Sequence, residues 1–567
     1  MESTTLKTVA TIDFVVIAGY MLLMVGIGVF AMRFNRGAAD YFKGGNRIHW
    51  LAAGLSSFMS GFSAWTFTGA AGLAYQHGLV AVLLYIGNAC TFLLGYWVFA
   101  VRWRRARIST VMEYLVERFD ERTRQTFSWT TTFFHLFMGA SMLYGLALFV
   151  APTCGWSVSW TIFGAGCVIL AYCVIGGLWA VVITDFLQAA ILMPFTLVMG
   201  WAALRRVGGP GGLIAALPAD MTSFRLTPEF GWTYVAAWIV MVSFGYNTSA
   251  MAQRYFSVDD ESSARKVALL CFVFFLFGAF LWFIPPMAMR VLYPDLGSVL
   301  PGLANPHESS YALAARTLLP NGLVGIMLAA MFSSTMASLS GLLNMHAAIV
   351  AKDIYPTLFP KKAGNAERLV VGWIATFAIG AGIVGIALLM AEARRSVFQV
   401  MLTVNTIMSL AYGPPALLGL VVKRTPSWSG LASFVVALVL GVYGTFALHW
   451  GLVASVTIII PSAAAVFLLS ALVPEPGARA QAREGLFGRL ATPVDLARER
   501  GDGADPTRRV FRFLGRAIAI VGVTGLLALT AASPAERGVV VAYVGVTLAL
   551  AVALGFVGRS RPEAAAP

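Results

Sequence analysis

Asp185 is the carboxylate in the apolar run Gly176 to Met193, GGLWAVVITDFLQAAILM. A carboxylate inside hydrocarbon is costly, so such groups face a protein interior or a wet cavity and mark ion or substrate paths. Its place about two turns from the helix start leaves a structural alternative, because the positive end of the helix dipole would also support it. Oxygen-bearing residues collect in a second apolar segment, Met331 to Asn344, MFSSTMASLSGLLN. Ser334 and Ser338 are four apart and share one helix face. Two such serines can offer a hydroxyl and a carbonyl to a hard cation. They can equally bond back to their own helix carbonyls.

These residues need elements that hold them inside a bilayer, and the composition supplies them. Of 567 residues, 59% are hydrophobic and 12% charged, against roughly 25% charged in soluble domains. Apolar stretches of the ~20 residues needed for a spanning helix recur along almost the whole chain, without the ten-residue alternation of a β-barrel. The chain reads as an all-α polytopic membrane protein with about fifteen spans. They fall near 11–32, 48–74, 77–101, 126–151, 157–175, 179–203, 231–252, 266–291, 319–350, 368–391, 397–421, 429–447, 453–473, 512–531 and 538–558.

The net charge of +14 does not indicate nucleic acid, because its placement is that of a positive-inside bias. Arg33, Arg36, Lys43 and Arg47 form one basic connection; Arg102, Arg104, Arg105 and Arg107 a second; Lys352, Lys361, Lys362 and Arg368 a third. Placing these in the cytoplasm puts the N-terminus outside and the C-terminus inside a cell membrane. It also puts Arg205, Arg206, Arg394 and Arg395 outside. The five cysteines show no metal-ligand spacing and read as packing residues. The first apolar run lacks a positive n-region and reads as a retained span.

Two segments are poor continuous helices. Leu51 to Ala71, LAAGLSSFMSGFSAWTFTGAA, is interrupted by hydroxyl residues and glycines. Val242 to Arg254, VSFGYNTSAMAQR, carries Gly245, Asn247, Thr248 and Ser249 at bilayer depth. Each opens a block of about five spans, 48–204 and 231–421. Paired interruptions in two halves point to an inverted-repeat transporter with its site at the midplane. An unwound helix frees amides and carbonyls that lipid cannot satisfy, so each break must line protein or a cavity. Residues 1–47 then form an extra N-terminal helix and connection, and 422–475 additional helices. Residues 476–511 read as a cytoplasmic linker with a short amphipathic helix, and 512–567 as a two-helix appendage.

Together these segments resemble the sodium/solute symporter family. The resemblance lies in GGLWAVVITDFLQ at 176–188, in TLLPNGLVGIMLAAMFSSTMASLSGLLN at 317–344 followed by Asp353-Ile354-Tyr355, and in Gln253-Arg254 after the second break. Tyr412-Gly413-Pro414-Pro415 before Lys423-Arg424 adds to it, and the match runs over about residues 10 to 475. It implies a LeuT-type five-plus-five inverted repeat and sodium-coupled import by alternating access, with no cofactor beyond the coupling ion. It further implies a sodium site at the carbonyls of Ser56 and Met59 and at Ser334, Ala337 and Ser338. Asp185 would stand at the cytoplasmic mouth of the ion path. Ala337 departs from relatives that carry a hydroxyl there. A register on Ala330, Ser333 and Ser334 restores both hydroxyls but breaks the spacing to Asp353. Proton coupling of the same fold therefore stays open.

The solute, a sugar, amino acid or organic acid, would lie between the two breaks. Ser63, Trp65, Thr66, Tyr85, Asn88, Tyr246 and Asn247 are the candidate lining residues. The acidic residue that sugar-transporting relatives carry on the second core helix has no counterpart near Tyr85. His135 reads as a buried, satisfied histidine. Six histidines and scattered intramembrane acids form no constellation of nucleophile and base, so an enzyme is not expected. A transporter-like sensor is the other alternative, but residues 474–567 hold no signalling module. The expected partners are a small solute, sodium and lipid; the oligomeric state is open.

Overall fold

A chain in hydrocarbon must satisfy its own amides and carbonyls, and a helix does so within one segment. The computed structural model describes residues 9–31, 48–108, 110–175, 178–222, 230–248, 250–301, 303, 305–359, 364–475, 477–499, 507–534 and 536–557. No strand occurs among them. Arg33, Arg36, Lys43, Arg47, Gly176, Gly177, Ser249, Lys361 and Lys362, singled out above, lie outside the described residues.

Helix α1 covers Thr11–Ala31. The first interrupted segment gives α2, Trp50–Ser60, and α3, Gly69–His77. Then come α4 (Leu79–Arg105), the short α5 (Val111–Arg118), α6 (Glu121–Cys154), α7 (Val158–Ile175) and α8 (Leu178–Arg206). The second interrupted segment gives α9, Trp232–Tyr246, and α10, Ala250–Phe256. After it follow α11 (Glu261–Leu292), α12 (Ser310–Leu318), α13 (Leu323–Leu358), α14 (Asn365–Glu392) and α15 (Val397–Val421). The chain continues with α16 (Ser429–Phe446), α17 (Leu452–Leu472), α18 (Ala478–Ala491), α19 (Thr507–Thr524) and α20 (Arg537–Val557).

Eleven described helices are long and apolar enough to cross a membrane by length and composition. Thr11–Met24, Val158–Ala171 and Trp232–Tyr246 are apolar but shorter, and the 48–74 segment is interrupted. The expected count of fifteen thus exceeds what helix length certifies.

Two packed groups organise the helices. In one, α4 and α11 pack together, α11 covers α2, and α10 meets both α2 and α4. In the other, α6, α7, α13 and α14 pack on one another and α15 lies against α6. Helix α8 touches both groups through α2, α11 and α13. The 18-residue window that qualifies α13 is entirely buried, against 39% for α14. A hydroxyl-rich helix is therefore shielded from lipid on every side.

The N-terminal helix is fixed by one carboxylate. Asp13 is fully buried, and its Oδ1 accepts from Gly322 N at 2.5 Å and Gly325 N at 2.7 Å. These amides belong to the start of α13, where helix N–H groups lack internal partners. Gly322 takes a φ of 90°, in the region that favours glycine. A Cβ on Gly325 would stand 2.6 Å from the Asp13 carbonyl oxygen. Tyr20, two turns along α1, meets Ser333 Oγ at 2.6 Å. The α19–α20 pair packs on α8, with Phe511 edge-on to Phe186 and to His49 at centroid distances of 5.5 and 5.3 Å.

Asp13→Ala removes two charge-assisted bonds at a helix start and is expected to cost about 2–3 kcal/mol. The thermal midpoint of the detergent-purified protein should fall, and fall less in Asp13→Asn, which keeps an acceptor. Equal midpoints for Asp13→Ala and the parent would contradict this role.

Candidate functional site

The first break begins where α2 runs out of intrahelical partners. Gly61 N bonds Ser57 O and Phe58 O, and Phe62 N bonds Met59 O at 3.2 Å. Ser63 is extended (φ −138°, ψ 175°) and its Oγ accepts from Trp65 N. A single tight turn, Ala64–Phe67, then leads into α3. Carbonyls freed this way need donors or a cation.

Ser338 of α13 supplies the donor. Its Oγ lies 2.8 Å from Phe62 O, 3.2 Å from Met59 O and 3.2 Å from Ser334 O. Met59, Ser334 and Ser338 are thus brought together where the break crosses the hydroxyl-rich helix. Three backbone carbonyls and a hydroxyl within hydrogen-bond range form an oxygen cluster of the kind that suits a small hard cation. The Ser334 hydroxyl turns back to Met331 O at 2.9 Å, the back-bonding alternative considered for these serines. Ala337 contributes no side-chain oxygen, and its carbonyl accepts from Ser340 Oγ at 3.1 Å.

Ser56 has a different task. Its carbonyl accepts from Ser60 Oγ at 2.8 Å, while its own Oγ donates to Asp185 Oδ2 at 2.5 Å. Arg254 of α10 closes the group: Nε donates to Ser56 Oγ at 3.0 Å, Nη2 donates to Ser60 Oγ at 3.2 Å, and Nη2 stands 3.7 Å from Asp185 Oδ2. Asp185 and Arg254 are 0% and 1% exposed. At that burial each ion depends on the other, because a lone charge in such a place is prohibitive. Asp185 Oδ1 has no hydrogen-bond partner among the described residues. The pairing joins the first break, the second break and α8. Arg254 was quoted above only as part of a motif. An arginine at bilayer depth requires a buried partner, and that rule alone would have raised it to a site residue.

At the second break the chain leaves α9 at Asn247. The freed Asn247 carbonyl accepts from Trp103 Nε1 at 2.9 Å, and its side-chain amide donates to Ser243 O and Thr91 O. Thr248 Oγ1 bonds Phe244 O at 2.8 Å.

Between the two breaks lies a cavity of about 180 Å³. Of the candidate solute residues, Ser63, Trp65, Asn88 and Tyr246 line it. Thr66, Tyr85 and Asn247 do not. Thr66 and Tyr85 bond each other at 3.1 Å behind Trp65, whose ring stacks on Tyr85, and Asn247 is spent on closing the break. Eight lining residues are methionines, and none of the described lining residues is Asp, Glu, Lys or Arg. The lining also includes Thr131, Asn405, Ser409 and Tyr412, which sequence reasoning passed over because single polar residues in packed helices carry no distinctive spacing.

His135 lines this cavity, with one ring nitrogen satisfied by its own helix. Its Nδ1 faces Thr131 O at 2.8 Å, and a carbonyl can only accept, so Nδ1 holds the proton. Its ring lies 4.8 Å from that of His346. Thr132 Oγ1 already donates to Ser128 O, so His346 Nδ1 must donate to it across 3.1 Å. By this hydrogen-bond assignment Nδ1 carries a proton in both rings, and Nε2 of His346 is buried without a partner among the described residues.

Two interrupted helices flanking a cavity, with an oxygen cluster where one break meets a hydroxyl-rich helix, define a secondary transporter of the LeuT type. A solved sodium-coupled sialic acid symporter, substrate-bound and outward-open, has the same fold: TM-score 0.71 at 22% identity, over 82% of this chain and 98% of that one. The profile of the sodium:solute symporter family matches residues 41–437, and the chain belongs to that family. Similar relatives include sodium/glucose cotransporter 2 of Rattus norvegicus, 27% identical over 76% of this chain and 70% of the relative. The sodium/sialic acid symporter NanT of Aliivibrio fischeri is 25% identical over 76% and 87%. These relatives are transporters, not enzymes.

Ser338→Ala removes the hydroxyl at the crossing and should raise the sodium concentration for half-maximal uptake about tenfold, the equivalent of one ligand worth ~1.4 kcal/mol. An unchanged sodium dependence would count against the register that uses Ser338. Asp185→Asn strands Arg254 and should lower stability by about 3–5 kcal/mol. The double change Asp185→Asn with Arg254→Gln should restore the thermal midpoint without restoring transport.

Proposed function

We propose that the chain imports a small, uncharged polar solute together with sodium. The observation that carries this is the cavity between the breaks, which adjoins the Ser338 crossing and has no ionised lining side chain. A carboxylate solute would find no counter-charge there, and burying an unpaired ion is unfavourable. Trp65, Trp238 and Tyr246 offer flat faces, and the methionines adapt to an irregular outline. His135 Nε2 and Asn88 provide acceptors or donors for hydroxyl or amide groups. The sugar-like and neutral members of the expected solutes therefore fit better than an organic acid.

In this reading sodium binds at Met59, Ser334 and Ser338, with the carbonyls of Ser56 and Ala337 nearby. It ties α2 to α13 and thereby organises Ser63 and Trp65 at the solute. Asp185 and Arg254 hold the inner end of the ion route. Coupling follows if sodium favours the solute-competent arrangement, since a ligand shifts an equilibrium only by its differential affinity. With the basic connections in the cytoplasm, the membrane potential adds about 2.3 kcal/mol per charge per 100 mV to sodium entry. Proton coupling is the second reading, favoured by the missing hydroxyl at Ala337.

Purified protein in proteoliposomes tests both points. An imposed sodium gradient should drive uptake of a neutral probe, D-glucose or myo-inositol, in preference to N-acetylneuraminate. Faster uptake of the anion would refute the neutral-solute reading. Uptake that follows a pH gradient and ignores sodium would replace the coupling ion.

A further inference from the structure

The segment after the family match carries a structure of its own. Helix α18 and the turn Leu496–Glu499 lie across the ends of helices from both packed groups. From one group, Arg104, Arg105 and Arg107 at the end of α4 and Glu261 at the start of α11 reach it. Arg107 Nε donates to Glu499 Oε1 at 2.8 Å and its Nη2 to Pro493 O at 2.9 Å. Arg104 Nη2 lies 3.4 Å from Glu499, and Val494 N donates to Glu261 Oε1 at 2.9 Å. Toward the other group, Arg479 donates to Phe119 O at 3.3 Å and Arg483 to Thr425 O at 3.1 Å, at the approaches to α6 and just beyond α15. Between them Arg489 pairs with Glu117 of α5. Leu486 and Leu490 are buried beneath the segment.

Helix α5 is the element this segment presses on, and Val111 and Met112 of α5 line the solute cavity. The segment lies beyond residues 41–437, which the family profile matches. We propose that residues 478–499 are a strap that bridges the two helix groups, braces α5 at the cavity's end, and holds the arrangement seen here until the groups move in the transport cycle. The proposal rests on the alternating-access reading above. Of the strap's contacts, the Arg489–Glu117 ion pair is the most exposed, at 38% and 34%. Such pairs are individually weak and screened by salt, which suits a brace that must release in every cycle.

Charge reversal tests it on the full-length protein in proteoliposomes. The variants are Arg489→Glu, Glu117→Arg and the two combined, which re-forms the pair with its signs exchanged. Hydrogen–deuterium exchange of Val111–Arg118 should rise in each single variant and return in the double one. Exchange unaffected by either single change, or not restored by the swap, overturns the strap whatever sodium does. Next, Val111→Cys is alkylated from the side of the basic connections by an impermeant maleimide, over a sodium series. Sodium should protect the thiol, and Arg489→Glu should shift the half-protecting concentration about two- to fivefold, the range expected for losing one exposed pair. The swap should reverse that shift. An exchange response with no such shift overturns the link between strap and transport cycle. If sodium fails to protect the thiol in the parent, the sodium reading of the function fails, while the exchange measurements still decide the strap.

Discussion

Ser56 Oγ sits between a carboxylate and a guanidinium, donating to Asp185 and accepting from Arg254. The architecture around it answers to this contact. Two ions that are 0% and 1% exposed persist in a bilayer protein only if held together, and the elements that hold them are two interrupted helices and α8. Because α8 and α10 carry the two charges and Ser56 of α2 bridges them, the first break cannot leave the pair without losing the hydroxyl that links the two ions. The cavity and the oxygen cluster at Ser338 then follow from where the breaks are held.

The split between polar and apolar duties is sharp. Carbonyls freed at the first break are met by a hydroxyl, Ser338, while the carbonyl freed at the second is met by an indole, Trp103. A hydroxyl both donates and accepts, so it can turn its lone pairs to a cation; an indole N–H only donates. The first break therefore has the chemistry to change partners, and the second is held by donors alone. Asn247 spends its side-chain amide on the carbonyls of Ser243 and Thr91, and its Oδ1 has no hydrogen-bond partner among the described residues.

Much of this was legible in the chain. The breaks and the hydroxyl-rich helix stand out because polar residues at bilayer depth violate an otherwise apolar pattern, and Asp185 stands out for the same reason. Side-chain direction was not legible. Thr66 and Tyr85 have the right types and neighbourhood, yet they bond each other behind Trp65. His135 seemed an ordinary core residue because its partner His346 lies more than two hundred positions away. The methionine lining was invisible for a plainer reason: methionine is at home in any apolar helix, and only packing shows which ones face a cavity. The strap's contacts join residues almost four hundred positions apart, and no local pattern announces them.

The Asp13 latch bears on how the protein is made. Its carboxylate emerges 309 residues before the Gly322 amide that receives it. At ~5–20 residues per second the interval is on the order of tens of seconds. Through that time the first helix must wait near the membrane surface with Asp13 in water, for nothing already synthesised offers it those amides. Assembly of this transporter is thus ordered from a distance: α1 is locked only once the start of α13 has been made.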